Sequence, residues 1–435
     1  MTIRERSART TARHPALPAQ TAFRAIDRAG RGLTTVVTER TLLAGIDYEM
    51  LARAVTAATG RHEALRTTMQ RAPDVDPSAP DFLWTGFENV VTDAVPVVLE
   101  QGTGLGRPPR ADPSRLPVFR FQVVTDNAPA ALRVVTDHAL CDRWSLLVLF
   151  RDIELAYGRE LASADQPLSG AYPFSQFADR QHLRWQTGEF DSAIRSVEKR
   201  ILDAQPPDLS QAAELNRRPL VHVYDLNLGR ESADRFEAIR TQARATRFVV
   251  ALGLFFTAIN VVFGWHDLIA LVPSVNRPRE AGDSVGLYAD SRFVICRLTG
   301  GFYDMVREIG LSLADGFGRS SPPAALVQGR ASVREALASF PRVTCDMLFD
   351  TLPSDPPERR AARIFAPPDA DGKDAADDVI ERAAAPLFPV QPDLRLRCSF
   401  SGQPRLSIAF RVDRIAESDA LSVAQAIAKT IRKMG

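Results

Sequence analysis

The chain has 435 residues, 45% of them hydrophobic and 25% charged, and 54 basic residues balance 53 acidic ones to a formal net charge of +1. The length exceeds one ordinary core and predicts two domains or two halves of one large fold. So even a charge balance gives no electrostatic case for nucleic acid, and no apolar run approaches the ~20 residues that span a bilayer, so neither nucleic acid nor a membrane is expected as a partner.

The opening MTIRERSARTTARHPALPAQ is Arg-rich and lacks the apolar core of a secretory signal; residues 1–15 read as a flexible arm. In DYEMLARAVTAATG (47–60), Met50, Leu51, Ala54, Val55 and Ala58 have helical spacing, with Asp47 as N-cap and Gly60 as the stop. PVFRFQVV (117–124) and 131–136 read as strands around a turn at Asp126-Asn127. LLVLFRDIELAY after Ser145, closed by Gly158, reads as a mostly buried helix. Residues 174–203 read as helical, with Phe174, Phe177, Trp185, Phe190, Ile194 and Val197 as buried candidates, and 204–219 as a Pro-rich connection. The second half predicts a strand at 220–228, helices at 232–244 and 249–263, strands at LIALVPSV, 291–298, 343–350 and 404–412, and a last helix at 417–433. Residues 357–386, rich in Asp, Ala and Pro, read as a mobile surface excursion. Both halves mix strands and helices, so the expected fold class is α/β (α+β). The expected division is 1–15 arm, 16–180 first lobe, 181–219 helical bridge and 220–435 second lobe.

Four cysteines, Cys141, Cys296, Cys345 and Cys398, have neither CxxC spacing nor a nearby His. They read as reduced thiols of a cytoplasmic protein, with no metal site. GTGLGRPP (102–109) imitates a phosphate loop but lacks the third glycine, and Pro108-Pro109 forbids the helix that would hold the phosphate.

The stretch VVTDHALCDRWS (134–145) is different. It leaves a strand and enters a helix, where functional groups are often mounted on a rigid scaffold. Histidine is the usual general base near neutral pH, so His138, with Asp142 four residues on, is the candidate chemical group. Cys141 beside them reads as a packing residue.

RHEALRTTM (61–69) together with TDHALCDRWS (136–145) resembles the condensation domains of nonribosomal peptide synthetases, in the chloramphenicol acetyltransferase superfamily. Those domains carry a pattern close to RHExLRTxF and, later, HHxxxDGWS with the second His catalytic. ALPAQTAFRAIDR (16–28), YPFSQFADRQHLRW (172–185) and SVNRPREAGDSVGLYADSRF (274–293) are similar to further motifs of the family, in the same order. The resemblance implies two acetyltransferase-like lobes arranged as a V around a central tunnel. It implies acyl or peptidyl carrier proteins as partners, each delivering a phosphopantetheine arm, and a small-molecule or carrier-bound acceptor. The family forms no covalent acyl-enzyme and needs no metal or cofactor of its own.

Carried onto this chain, the resemblance makes His138 the residue that takes or steers the acceptor's proton. Asp142 becomes a structural residue paired with an arginine from the second lobe, Arg277 first and Arg279 next. Trp144 packs and Ser145 caps the helix. His62 and Arg66 support their own elements. Three positions depart from the pattern: Asp137 replaces the first His, Arg143 replaces the Gly, and ADSRF (289–293) replaces the NTxP region. Asp137 adds charge beside His138, which favours a protonated imidazole. Arg143 either narrows the tunnel or holds an anionic acceptor. The expected function is a free-standing condensation enzyme making an amide or ester. The alternatives are a degenerate module that binds carrier-bound intermediates or recruits a partner, and a coenzyme A-dependent acyltransferase.

Overall fold

The computed structural model describes residues 9–27, 32–73, 75–79, 82–93, 99–102, 108–125, 129–163, 168–208, 221–298, 300–316, 321–348, 352, 363–366, 378–383, 392–400 and 402–434. The chain divides into two compact units. The first comprises Met1–Glu189, Val275–Ala289 and Asp350–Asp369, and the second Phe190–Ser274, Asp290–Phe349 and Ala370–Gly435.

The first unit carries β1 (Thr10–Pro15), α1 (Pro18–Ile26), β2 (Thr35–Thr41), α2 (Tyr48–Arg61), β3 (Thr67–Arg71), α3 (Phe82–Thr85), β4 (Phe87–Thr92), β5 (Leu99–Gly102), β6 (Phe119–Val124), β7 (Ala131–Asp137), α4 (Arg143–Leu161) and α5 (Phe174–Gln186). They form two sheets, ordered β1-β4-β3 and β2-β7-β6-β5. The first is antiparallel, and in the second only β5 and β6 run parallel. The arm expected over 1–15 is therefore a paired strand from Thr10 onward, because β4 offers it a partner edge. The expected helix at 47 forms: the Asp47 carboxylate accepts the N–H groups of Glu49 and Met50. It buries Leu51, Ala54, Val55 and Ala58. Gly60 does not stop it; the helix continues to Arg61 and ends where His62 turns extended.

The second unit carries α6 (Asp191–Asp203), β8 (Val221–Asn227), α7 (Arg230–Ala243), α8 (Arg247–Phe263), β9 (Asp267–Ser274), β10 (Asp290–Arg297), α9 (Phe302–Gly316), α10 (Ala324–Gln328), α11 (Ala331–Ala338), β11 (Val343–Leu348), β12 (Val379–Ala383), β13 (Leu394–Ser399), β14 (Arg405–Arg411) and α12 (Glu417–Met434). Its strands make one mixed sheet, β10-β9-β11-β13-β14-β8-β12. The pairs β9–β11 and β11–β13 are parallel and the rest antiparallel. Helix α8 is the core helix of this unit, buried on all sides from Val249 to Phe256, which explains its unbroken apolar run. Thr246 caps its start and Gly264, at φ 69°, ends it. Among the described residues no single helix is long and apolar enough to cross a membrane. Helix α12 packs through Ala420, Val423, Ala424, Ile427, Ala428 and Ile431, an i, i+3, i+4 stripe.

Three boundaries differ from those read off the sequence. The first unit runs to Glu189 rather than residue 180, and the expected bridge over 181–219 is shared: the end of α5 belongs to the first unit and α6 to the second. Residues 275–289 return to the first unit, although the expected second lobe began at 220 and contained them. The excursion expected over 357–386 is anchored where it is described. Ile364 and Phe365 are buried, their N–H groups reach Glu154 at 3.3 Å, the Ile364 carbonyl accepts from Leu43 N, and Phe365 meets Phe150 edge-on. Val379–Ala383 pairs with β8. The turn at Asp126-Asn127 and most of the 102–109 glycine stretch lie outside the described residues.

Candidate functional site

The centre of β7 is buried, as its β-branched run requires, and its last residue, Asp137, is also fully buried. Both Asp137 oxygens are used by the turn that follows: Thr34 Oγ1 donates to one at 2.6 Å and the Ala139 N–H to the other at 2.8 Å. Burial pushes this carboxyl above its usual value, against those two hydrogen bonds. The turn is held from α1 and the β2 approach as well. Gln20 Nε2 donates to the Ala139 carbonyl at 2.9 Å, and the His138 N–H donates to the Thr34 carbonyl at 2.8 Å.

The two residues of the HxxxD pair are treated in opposite ways by their surroundings. Asp142 is the N-cap of α4 and is saturated. One oxygen accepts the Ser145 N–H at 2.8 Å; the other accepts the N–H groups of Tyr288 and Ala289, each at 3.0 Å. Arg277 Nη2 lies 3.1 and 3.3 Å from the two oxygens. The side chains of Arg277 and Asp142 are only 2% and 4% exposed, so this is a buried ion pair, hydrogen-bonded throughout except at Arg277 Nε, which has no partner among the described residues. Arg277 further donates to the carbonyls of Ala281 and Ser284 at 2.8 and 2.5 Å, and to Ser145 Oγ at 2.8 Å. Its guanidinium sits 4.0 Å over the Tyr288 ring. The expected partner was thus the right residue, but it does not come from the second unit: Asp142 and Arg277 both belong to the first. Arg279 is exposed in a short 3-10 turn.

Ser145 does more than occupy the first turn of α4. Its hydroxyl donates to the Gly286 carbonyl at 2.7 Å and accepts the Gly286 N–H at 3.0 Å. Trp144 packs and donates its indole N–H to the Gly282 carbonyl at 2.9 Å. The VGLY stretch therefore closes over the start of α4. A Cβ at Gly286 would overlap the Phe174 ring, which is why that position needs glycine.

His138 is half-buried. Its ring stacks on Phe23, with centroids 4.3 Å apart and planes 17° from parallel. Its Nδ1 is buried and has no hydrogen-bond partner among the described residues. The imidazole is thus oriented by stacking while its ring nitrogens make no hydrogen bond among the described residues, an arrangement suited to a group that exchanges a proton with something bound. Arg143 opens α4 with an exposed side chain.

The RHE motif builds a separate polar knot. Asp152, from α4, is the acceptor: His62 Nε2 lies 2.9 Å from it, Arg61 Nη1 2.5 Å and Arg151 Nη2 2.9 Å. Arg151 also reaches Asp283 at 2.6 Å. The side chains of His62 and Asp152 have no exposure. Burial holds the imidazole below its ordinary value, outweighing the attraction of Asp152. Burial works to raise the Asp152 carboxyl, and His62, Arg151 and Arg61 overcome it and hold the group low. The Glu63 carboxylate accepts the N–H and hydroxyl of Ser175 at 2.7 and 3.0 Å, tying the start of α5 to the motif. The Arg66 carbonyl accepts from Thr92 Oγ1. All four cysteines are buried free thiols. Burial raises Cys141, Cys345 and Cys398 well above the ordinary thiol value and pushes Cys296 up to about 12, which disfavours thiolate chemistry at each. Among the described residues no cluster of His, Cys, Asp and Glu could hold a metal ion. Sequence reasoning did not single out Phe23, Gln20, Thr34 or Asp152. Only the match of 16–28 to the family's opening motif pointed toward the first two.

No family model matches the chain. Among curated proteins it is 24% identical over 319 residues to nonribosomal peptide synthetase 30 of Fusarium vanettenii, covering 67% of this chain and 5% of that protein. It is 24% identical over 261 residues to the beauvericin nonribosomal cyclodepsipeptide synthetase of Gibberella fujikuroi, covering 57% of this chain and 8% of that protein. The chain thus matches less than a tenth of the length of these relatives. Among solved structures, the condensation domain of the monacolin K polyketide synthase MokA superposes with a TM-score of 0.72 at 14% identity, over 98% of this chain and 97% of that one. The X-domain from teicoplanin biosynthesis gives 0.71 at 16%, over 100% and 97%. The first condensation domain of the calcium-dependent antibiotic synthetase gives 0.70 at 12%, over 98% and 97%. The fold is that of a condensation domain, the chloramphenicol acetyltransferase-like α/β architecture expected from the motifs.

Proposed function

Starting from the condensation-domain fold, we propose that the chain is an acyltransferase of the condensation type. It joins an acyl or aminoacyl group, carried as a thioester on the phosphopantetheine arm of a carrier protein, to an amine or hydroxyl acceptor. The observation that carries the reading is the division of labour in the HxxxD turn: Asp142 is saturated by internal bonds, while the His138 ring makes no hydrogen bond among the described residues.

The acceptor's lone pair attacks the thioester carbonyl carbon, and its proton passes to His138. The new C–N or C–O bond forms, the C–S bond breaks, and the proton returns to the departing sulfur to leave a free thiol on the arm. The chain's own contribution is to hold the imidazole in place against Phe23 and to orient the reactants. No metal and no cofactor of the chain's own enters the scheme.

The test is intact-mass spectrometry of carrier proteins loaded with acyl groups and incubated with amines and alcohols, comparing the native chain with His138→Ala. Transfer by the native chain that falls roughly 10²- to 10⁴-fold in the variant supports the reading, the range expected on losing a positioned acid–base group. A second reading is a non-catalytic carrier-binding module. It is favoured by the full-length superposition on the teicoplanin X-domain, a protein also solved in complex with OxyB. Binding of loaded carriers without transfer in any combination would select that second reading.

A further inference from the structure

One face of α1 is turned toward the His138 turn. Gln20 donates to the Ala139 carbonyl at 2.9 Å and to Asn89 Oδ1 at 3.1 Å, and Phe23, three residues on, stacks on the His138 ring. Arg24 is four residues after Gln20, hence one turn along the same face. Its guanidinium lies 5.9 Å over the Phe87 ring. Its Nε is buried without a hydrogen-bond partner, and it makes no ion pair with any described residue.

Two carboxylates lie within electrostatic reach, Asp137 and Asp112, yet both are committed elsewhere. Asp137 is used by Thr34 and Ala139. Asp112 accepts the N–H and hydroxyl of Ser114 at 2.9 and 2.6 Å. A half-buried guanidinium with no close counter-ion is costly to keep, and its planar fork matches a carboxylate.

Resting on the transfer reading, we propose that Arg24 recognises the acceptor, and that the acceptor is an amino or hydroxy acid with a free carboxylate. Arg24 holds the carboxylate while the amine or hydroxyl faces His138. The sequence offers Arg143 as a cation that either narrows the tunnel or holds an anionic acceptor; for the acceptor the geometry favours Arg24, on the helix whose neighbouring residue stacks on the His138 ring.

The experiment uses the full chain, loaded carrier, and a panel of amino and hydroxy acids, each as free acid, carboxamide and methyl ester. The native chain is expected to prefer the free acid. Arg24→Gln is expected to raise KM for it roughly 10- to 100-fold with kcat little changed, as loss of one charged hydrogen-bonded contact implies, and Arg24→Lys to recover part of the loss. Replacing the carrier by an N-acetylcysteamine thioester, which has no phosphate, separates the other anion available. If the Arg24→Gln defect disappears with that donor, Arg24 serves the arm's phosphate and the acceptor assignment is overturned. Equal use of acid, amide and ester by the native chain overturns it as well. Calorimetric binding of the same acid–amide pairs separates this inference from the transfer reading. Tighter binding of the acid, lost in Arg24→Gln, without any transfer, upholds the anion site and sinks the transfer. Transfer with no carboxylate preference does the reverse.

Discussion

Replacing Arg277 by alanine removes one partner of a buried pair, and the structure allows the cost to be bounded. Loss of one partner from such a pair costs about 3–5 kcal/mol, mainly from the charge left behind. Two features pull in opposite directions here. Asp142 keeps three backbone N–H donors, from Ser145, Tyr288 and Ala289, which softens the loss. Three further acceptors, the carbonyls of Ala281 and Ser284 and Ser145 Oγ, lose a donor, at about 0.5–1.5 kcal/mol each. These terms share atoms and do not add, so the expected destabilisation is about 3–5 kcal/mol. Arg277→Lys is expected to be nearly as harmful, because the two Nη atoms serve different partners and an ammonium cannot span them. Three of the four tryptophans, Trp84, Trp144 and Trp185, lie in the first unit, so the fluorescence transition in urea reports mainly on the unit that holds the pair. His138→Ala is the comparison, expected to cost about 0.5–1.5 kcal/mol for the lost stack on Phe23, since the ring makes no hydrogen bond among the described residues. An Arg277→Ala midpoint equal to the native one, or a larger effect from His138→Ala, would refute the assignment of structural and chemical roles.

Asp152→Asn should be at least as severe, since it leaves Arg61, Arg151 and His62 gathered around a neutral side chain with no solvent access; a loss of about 3–5 kcal/mol would appear as a steep fall in Tm and soluble yield. Gly286→Ala drives a methyl into the Phe174 ring and is expected to cost about 1–3 kcal/mol, with Phe174→Leu restoring part of the urea midpoint in the double variant. Asp137 has its folded pKa raised by burial, so the folded state holds its proton more firmly than the unfolded chain does, and stability falls as pH rises from about 3.8 through the folded value. Asp137→Asn, which can still serve Thr34 and Ala139, should therefore be neutral or stabilising at pH 7 and lose that advantage toward pH 4, as a series of urea midpoints would show.

Legibility from sequence followed period and punctuation. Helix α2 was readable because Asp47 and an i, i+3, i+4 stripe announce it, α12 because of its stripe, and α8 because of its unbroken apolar run closed by Gly264. Strand β13 was not: LRLRCS alternates with period two, burying Leu394, Leu396 and Cys398 while both arginines pair with Asp346 of β11, but it carries no β-branched or aromatic residue to mark it as a strand. Strand β1 was read as a loose arm because TTARHP has almost no buried residue; it exists through pairing with β4, which a local pattern does not contain. At the site, the family motifs point to His138, Asp142 and Arg277, and the structure pairs the last two. What the motifs did not carry was that 275–289 belongs to the same unit as Asp142, since chain order suggests the other, and that Phe23 and Arg24 matter, since their roles arise from tertiary placement of α1.

The departures at 137 and 143 are also answered differently by the structure. A histidine at 137 would offer one acceptor nitrogen and one donor. The aspartate there offers two oxygens, and the turn uses both, one for a hydroxyl and one for an N–H. Asp137 is thus a turn-builder whose charge is engaged from within, and the position carries the shape of the loop rather than its chemistry. Position 143 is placed differently: its side chain is exposed at the first turn of α4. A cation is slightly unfavourable at a helix N-terminus, by about 0.3–1 kcal/mol, and the Asp142 cap beside it works the other way. Arg143→Gly removes the guanidinium with every contact it makes and adds glycine's helix penalty of up to about 1 kcal/mol, so its stability is measured beside its activity. Together with Arg24→Gln it makes a four-way comparison, native, each single variant and the double, scored on free-acid against carboxamide acceptors. Loss of discrimination in Arg24→Gln and the double, but not in Arg143→Gly, is the pattern the α1 geometry requires. Loss in Arg143→Gly alone would transfer the anion site to the start of α4.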